Sequence, residues 1–398
     1  MKTIDDFSFA GQVVLIRVDF NVPLQADFSV ADGTRILATV PTIAKIRNDG
    51  GRVVLMSHLG RPSAREDKYS LRHIVTYLEK ALQTRVSFVN DCLGEGAQTA
   101  IAQMKDAEVI LLENVRFYAE EEAGDVAFAQ KLAKLGDMYV NDAFGTAHRA
   151  HASTAIIAQF FPKKACFGYV MANEILNVNK VLKGGTPPIT AVVGGSKVSS
   201  KIAILEQLMG RVDHLIIGGG MAYTFLRAQG GQTGNSICEE NLQGLALELM
   251  ATARAKGVQI HLPIDVVCAD AFSPEANTQV CEANAIPEGW QGLDAGPKTI
   301  ASFAAVVKLS KTLLWNGPIG VFEFEKFATG TRELGEVIAA QTEAGTLFSL
   351  VGGGDSVSAV NQFGLAKRVS YVSTGGGAML EYLEGRTLPG IEAVLKNA

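Results

Sequence analysis

Apolar residues along this chain come in short unbroken runs, mostly β-branched. Each run ends in Gly, Asn, Asp or His and is followed by a stretch with helical spacing. In the first half the runs are "QVVLIRVDFN" (12–21), "RVVLMSHLGRP" (52–62), "EVILLENVRF" (108–117) and "DMYVNDAFGT" (137–146). In the second half they are "ITAVVGGSK" (189–197), "HLIIGGGMA" (214–222), "KTLLWNGPIG" (311–320), "LFSLVGGGDS" (347–356) and "VSYVSTGGGA" (369–378). Runs that do not alternate with polar residues are strands buried on both faces, and the intervening helices supply the cover. That is the pattern of parallel sheets in an α/β protein. In "GDVAFAQKLAKLG" (124–136), Phe128, Leu132 and Leu135 fall at i, i+4 and i+7, which predicts an amphipathic helix closed by Gly136. "SKIAILEQLMGRV" (200–212) predicts another. "VMANEILNVNKVL" (170–182) reads as one helix, and "KGGTPP" (183–188) breaks it. With 398 residues the chain has room for two domains, and the boundary is expected in that stretch.

Bulk properties narrow the partners. There are 36 Lys+Arg against 41 Asp+Glu, a net charge of −5, and neither half is a basic field, so nucleic acid is not expected as a main partner. The five cysteines lie far apart with no C-x-x-C, which suggests reduced thiols rather than a zinc ribbon or a disulfide framework. The N-terminus lacks a signal-like apolar core, and no run approaches the ~20 apolar residues of a membrane span. The expectation is a cytoplasmic protein with no membrane partner.

Five strand ends in the C-terminal half carry glycine turns: Gly194-Gly195, Gly218 to Gly220, Gly317, Gly352 to Gly354 and Gly375 to Gly377. Any one could be only a tight turn. Five at the carboxyl ends of strands, where α/β sheets bind ligands, point to a nucleotide-sized anion. Neither G-x-x-x-x-G-K-[ST] nor G-x-G-x-x-G occurs. "GGSKVSSK" (194–201) places Lys197 and Lys201 at i, i+4, read as one face of a helix start within reach of phosphate oxygens. The N-terminal half carries Arg17, Asp19, Asn21, His58, Arg61, Arg116, His148, Arg149 and His151 at strand ends, and Arg35 after a turn. A lone Arg is usually a surface ion pair, but guanidinium groups repeated at strand ends suit a small polyanion. Zinc is disfavoured, because "HLGRP" and "HRAH" lack Cys or Glu at ligand spacing. The residues by themselves therefore suggest a basic first domain, a phosphate-binding second domain and phosphoryl transfer between them.

In order along nearly the whole chain, "RVDFNVP" (17–23), "SHLGRP" (57–62), "ENVRF" (113–117), "NDAFGTAHRAHAST" (141–154), "GGSKVSSK", "GGGMAYTF" (218–225), "WNGPIGVFE" (315–323), "GGGDS" (352–356) and "STGGGA" (373–378) resemble the motifs of phosphoglycerate kinases. The resemblance implies reversible transfer between MgATP and 3-phosphoglycerate, giving ADP and 1,3-bisphosphoglycerate, by a monomeric glycolytic enzyme. It also implies two Rossmann-like domains with parallel sheets facing each other across a cleft. An N-terminal domain over 1–170 would bind 3-phosphoglycerate and residues 189–379 the nucleotide. Residues 171–188 would form the connecting helix and hinge, with about 380–398 packing back on the first domain. By position, Asp19, Asn21, Arg35, His58, Leu59, Gly60, Arg61, Arg116 and Arg149 would hold 3-phosphoglycerate. Lys197, Lys201, Gly218, Gly219, Gly220, Asn316, Glu323, Gly352, Gly353, Gly354, Asp355 and Ser356 would hold the nucleotide. Arg35, Lys201 and Lys197 are the expected catalytic groups, with domain closure to expel water.

Three positions depart from the commonest family pattern: Ser200 for Asp, Ser356 for Thr, and Met379 for Ser. Two other readings predict different features. An NAD-dependent oxidoreductase would carry the missing dinucleotide fingerprint, and a non-catalytic regulator would have lost ligand residues. Asp355, directly after a triglycine, is open to two roles. It could cap the helix that begins there, or hold the Mg²⁺ that lets a carboxylate sit beside a polyphosphate.

Overall fold

A computed structural model describes residues 1–398. The chain divides into two compact units, Met1–Ile175 with Arg386–Ala398, and Leu176–Gly385.

The first unit is built on six strands: β1 (Val13–Val18), β2 (Arg52–Met56), β3 (Val86–Val89), β4 (Val109–Leu112), β5 (Met138–Asp142) and β6 (Ala165–Phe167). They pair in parallel in the order β3-β4-β2-β1-β5-β6. Strand β1 lies inside the sheet, with Val14 opposite both Val53 and Met138, and all six of its residues are buried. This is why its sequence does not alternate. The helix Thr34–Asn48 buries Ile36, Ile43 and Ile46 in a core with Val14, Ile16, Leu55 and Leu111. Because the chain runs from β1 to β2 on one side and returns to β5 on the other, the ends of β1, β2 and β5 flank a switch in strand order. That is where open α/β sheets accept ligands.

The last helix, Pro389–Asn397, belongs to this unit. Gly390 N donates to Ala147 O (2.8 Å), Lys163 N to Asn397 O (2.7 Å) and Asn141 Nδ2 to Gly390 O (3.3 Å). The helix Tyr169–Leu182 starts on Asp142, whose Oδ1 accepts from Val170 N (2.8 Å) and Met171 N (3.2 Å). The division between units falls inside that helix.

The second unit holds β7 (Ile189–Val193), β8 (His214–Ile217), β9 (Gln232–Thr233), β10 (Gln259–His261), β11 (Asp265–Ala269), β12 (Thr278–Glu282), β13 (Ala285–Ile286), β14 (Gln291–Ala295), β15 (Thr312–Asn316), β16 (Phe348–Val351) and β17 (Tyr371–Val372). Its main sheet is parallel, in the order β10-β8-β7-β15-β16-β17. Trp315 and Leu313 of β15 pack with Val192, Ile216, Phe303 and Leu334 in its core. Each of the five glycine turns follows a strand of this sheet. A separate antiparallel sheet, β12-β11-β14, and the short pair β13-β9 complete the unit. Neither was expected, because β12 is largely exposed and so carries no apolar run.

Two helix boundaries differ from expectation. The helix expected over 124–136 spans Val126–Ala133. Asp125 caps its start through Phe128 N (2.7 Å), and Lys134 occupies its end. Gly136 is no helix cap; a Cβ there would sit 2.6 Å from Leu15 Cγ, so the glycine is a packing requirement. The helix expected over 200–212 spans only Ile202–Leu208, leaving 194–201 as a loop.

Candidate functional site

In the first unit the candidate residues gather at the carboxyl ends of β1, β2, β4 and β5. Asp19 pairs with Arg35, Oδ2 to Nη1 at 3.1 Å, and Arg35 Nη1 also donates to Asn21 O at 3.1 Å. Asn21 Oδ1 accepts from Gly60 N (2.8 Å), and Arg116 Nη1 donates to Gly60 O (2.7 Å). Gly60 is thus held from both sides, at φ +65°. A Cβ on it would lie 2.4 Å from the Tyr69 ring, so no other residue fits this turn. Arg116 Nε lies 3.1 Å from Glu122 Oε1, too poorly aligned to be a hydrogen bond.

Leu59 is buried and contributes its carbonyl to Asn114 Nδ2 (2.8 Å). Asn114 also donates to Tyr69 O (2.9 Å) and accepts from Arg116 N (3.0 Å), so one side chain sets the "HLGR" turn and Arg116 together. Glu113 orders the same region by accepting from Leu71 N, Asn114 N and Ser70 Oγ at 2.7–2.9 Å. The reading of the sequence assigned no role to Asn114 or Glu113. Their position in "ENVRF", directly before Arg116, was the available signal. Arg61 is exposed, and Arg149 is half-buried with its Nε directed at His148 Nε2 (3.3 Å).

Arg17 differs from its neighbours. It is fully buried and donates to Ser153 Oγ (2.8 Å), to Val18 O and to His58 Nδ1 (3.3 Å). It supports the site from beneath. Because a guanidinium can only donate, His58 Nδ1 is an acceptor and the ring is neutral. Burial, then the charges of Arg17, Arg116, Arg35 and Arg149, hold His58 well below the ordinary histidine range. Burial with Arg116, Arg149 and Arg17 brings His151 down to about 4. Burial lowers Arg116 to about 10, helped by Arg149 and Arg17 against the opposing pull of Glu122. Several cations therefore act on the same few groups, with Asp19 as the acid among the candidate residues. Such an arrangement favours an anion.

In the second unit a cavity of 680 Å³ opens beside the glycine turns. Gly195, Gly219 and Gly220 line it with the apolar side chains of Ile237, Leu293 and Phe324, and Glu323 and Asp355 reach it from the segments that follow β15 and β16. The strand ends of β7 and β15 touch: a Cβ on Gly317 would lie 2.2 Å from Gly194 O. Lys201 Nζ donates to Asn316 Oδ1 (2.5 Å), and Asn316 Nδ2 donates to Gly352 O (2.8 Å). Burial lowers the Lys201 pKa, opposed by Asp355 and Glu384. Ser356 Oγ accepts from Gly317 N (2.5 Å), tying the β15 turn to the β16 turn.

The two lysines do not share a helix face. Residues 194–201 form a loop, because Ser200 Oγ closes it on Lys197 O (2.8 Å) and Glu239 accepts from Ser199 N (3.0 Å) and Ser199 Oγ (2.5 Å). Lys197 is exposed, whereas Lys201 stands against Asn316. Glu239 is a second anchor that sequence reasoning missed; it lies 40 positions from the serine it holds. Met379 fills the space over Gly352, where a Cβ would fall 1.9 Å from its Sδ.

Asp355 is not the helix cap. The helix runs Gly354–Gln362, its N-cap is Gly353 at φ +93°, and Asp355 lies inside the first turn with no hydrogen bond to a cap donor. Its carboxylate is exposed and lines the cavity. No cluster of three or more His, Cys, Asp or Glu side chains forms a protein metal cage. A lone carboxylate beside phosphate-sized glycine turns suits Mg²⁺, which takes one or two carboxylates and completes its shell with phosphate oxygens and water.

The sequence profile of phosphoglycerate kinase matches residues 4–386. A phosphoglycerate kinase of Porphyromonas gingivalis is 50% identical over 98% of this chain and 99% of its own length. Phosphoglycerate kinase 3, cytosolic, of Arabidopsis thaliana is 50% identical over 98% of this chain and 97% of its own. Among solved structures, the phosphoglycerate kinase of Coxiella burnetii superposes with a TM-score of 0.92 at 40% identity, covering 100% of this chain and 99% of that one.

Proposed function

The chain belongs to the phosphoglycerate kinase family, and from that premise we propose how its residues divide the transfer of a phosphoryl group between MgATP and the carboxylate of 3-phosphoglycerate. The first unit holds 3-phosphoglycerate through Arg35, Arg61, Arg116 and Arg149, with Asp19, Asn21, His58, Leu59 and Gly60 shaping the turns that present them. The observation that carries this assignment is the gathering of Arg35 and Arg116 on the joined turns of Asn21 and Gly60, with Arg17 buried against His58. A field of that sign selects an anion, and guanidinium forks match phosphate and carboxylate oxygens.

The second unit holds the nucleotide. The apolar side chains of its cavity accept the base, and the turns at Gly218, Gly219, Gly220, Gly352, Gly353 and Gly354 bring backbone N–H groups to the phosphates. Glu323 and Asn316 complete the contacts. Asp355 would hold Mg²⁺, which when bound neutralises charge on the phosphates. Lys197, exposed on its loop, is assigned to nucleotide binding, and Lys201 to the transferring group.

The nucleophile is the carboxylate of 3-phosphoglycerate, ionised at neutral pH, so the chemistry needs no general base. His58 is accordingly free to remain neutral. The protein's work is to align two anions and to place Arg35 and Lys201 where charge spreads over the transferring phosphoryl group. Residues 171–188 are the proposed hinge. We also propose that the enzyme acts as a monomer in the cytoplasm, in line with the cytosolic relative. An assay coupling ADP formation to ATP and 3-phosphoglycerate tests this reading: turnover requires both substrates. Well-folded protein with no turnover would overturn it.

A further inference from the structure

At the amino-terminal end of the first sheet lies a second cavity, also of 680 Å³. It caps the starts of β1 and β2, whose opposite ends carry Asp19 and His58. The length of a six-residue strand, about 20 Å, therefore separates it from the site described above. Its walls come from the helix Glu95–Ala102 and from residues 131–137.

Three cations line it: Arg52, Lys131 and Lys134. None of them makes an ion pair. Arg52 donates through Nη2 to Gly11 O (2.8 Å), but its Nε is buried without a partner. That nitrogen is shielded from the groove as well, so Arg52 contributes its charge to the groove rather than this donor. The one acid in the lining, Asp137, accepts from Val13 N through Oδ2 at 2.8 Å and is exposed, so the groove sets three cations against one carboxylate. Lys131 and Lys134 sit at the end of the helix Val126–Ala133, where positive charge offsets the helix dipole. That accounts for two lysines at a helix terminus. It does not account for Arg52 beside them or for the concavity. Leu93, Ile101 and Leu135 add apolar side chains to the lining.

We propose that this groove is a binding site for a small organic anion that pairs a phosphate or carboxylate with an apolar body. The anionic group faces Arg52, Lys131 and Lys134, and the body covers Leu93, Ile101 and Leu135. The site is separate from the phosphoryl-transfer machinery and does not depend on the assignments made for it.

Phenyl phosphate is the probe, with inorganic phosphate as its counterpart lacking the apolar body. Equilibrium dialysis is run on the full chain with MgADP and 3-phosphoglycerate at concentrations that saturate turnover. One phenyl phosphate should remain bound per chain, and inorganic phosphate should bind at least about tenfold more weakly. The exposed double substitution Lys131→Gln/Lys134→Gln should weaken phenyl phosphate at least about tenfold while leaving kcat unchanged. Arg52→Gln should do the same where it folds; the lysine pair carries the test where it does not. The proposal is overturned if no phenyl phosphate remains bound under these conditions, or if the double variant binds it as tightly as the native chain.

Discussion

Replacing Lys201 by alanine tests the proposed division of labour most directly. The ammonium group is held in place before any ligand arrives, because its Nζ donates to Asn316 Oδ1 at 2.5 Å and Asn316 is itself tied to Gly352 O. A unit charge about 4 Å from a developing negative charge, at the effective dielectric of ~20 suited to a partly buried site, is worth about 4 kcal/mol. Asp355 and Glu384 act on the same ammonium and reduce the net effect. Losing a preorganised donor of this kind costs roughly 10²–10³-fold in kcat. We expect Lys201→Ala to lower kcat by at least ~10²-fold at saturating MgATP and 3-phosphoglycerate, with KM changing far less. Asn316→Ala leaves the charge in place but removes its tether, and should cost about tenfold. The coupled ADP-formation assay measures both, with far-UV circular dichroism to establish that each variant is folded. A Lys201→Ala enzyme whose kcat falls less than about fivefold while KM rises would refute the reasoning and make Lys201 a ground-state ligand.

Three further outcomes are expected. Arg61→Ala should raise the KM for 3-phosphoglycerate at least about tenfold and that for ATP less than about twofold, since Arg61 is exposed and its loss disturbs no packing; equal effects on both substrates would show that the assignment to separate units is wrong. Asp355→Asn should shift the Mg²⁺ dependence of turnover to higher concentration, and an unchanged Mg²⁺ titration would remove Asp355 from the metal site. Burial pushes Asp142 up to about 7, so the folded chain binds its proton more tightly than the unfolded chain does. Its contribution to stability is complete below about pH 4 and is lost as pH rises through about 7, on the order of 4 kcal/mol in all. Urea unfolding at pH 5 and pH 8 should therefore show a smaller loss for Asp142→Asn than for the native chain, and parallel profiles would contradict this.

Nine of the twelve strands in the two main sheets were readable because full burial on two faces writes itself as an unbroken apolar run, as in "VVLIRV"; the edge strands β3, β6 and β10 were not, because they are partly exposed or only three residues long. The same physics hid β12, whose residues mostly face solvent and leave no apolar trace. The charged candidates were readable because arginine at strand ends is unusual. Their supports were not. Asn114 is silent in sequence because its partners, Leu59 O and Tyr69 O, come from segments 55 and 45 positions away. Glu239 is silent for the same reason. The lysine pair shows the converse failure: i, i+4 spacing is helical only if the backbone is, and Ser200 with Glu239 turns that stretch into a loop. The capping role weighed for Asp355 assumed that the helix begins two residues later than it does, with Gly353 occupying the cap.

The return of the last helix to the first unit has a consequence for synthesis. Residues 176–385 are translated between the two parts of that unit. At 5–20 residues per second they occupy the ribosome for roughly 10 to 40 s. Throughout that interval the first sheet exists without Pro389–Asn397, so Ala147 O and the amide of Lys163 lack their final partners. The segment made first is therefore closed last. A nascent chain arrested before residue 386 should expose the backbone around Ala147 and Lys163 to protease, and release of the full chain should protect it.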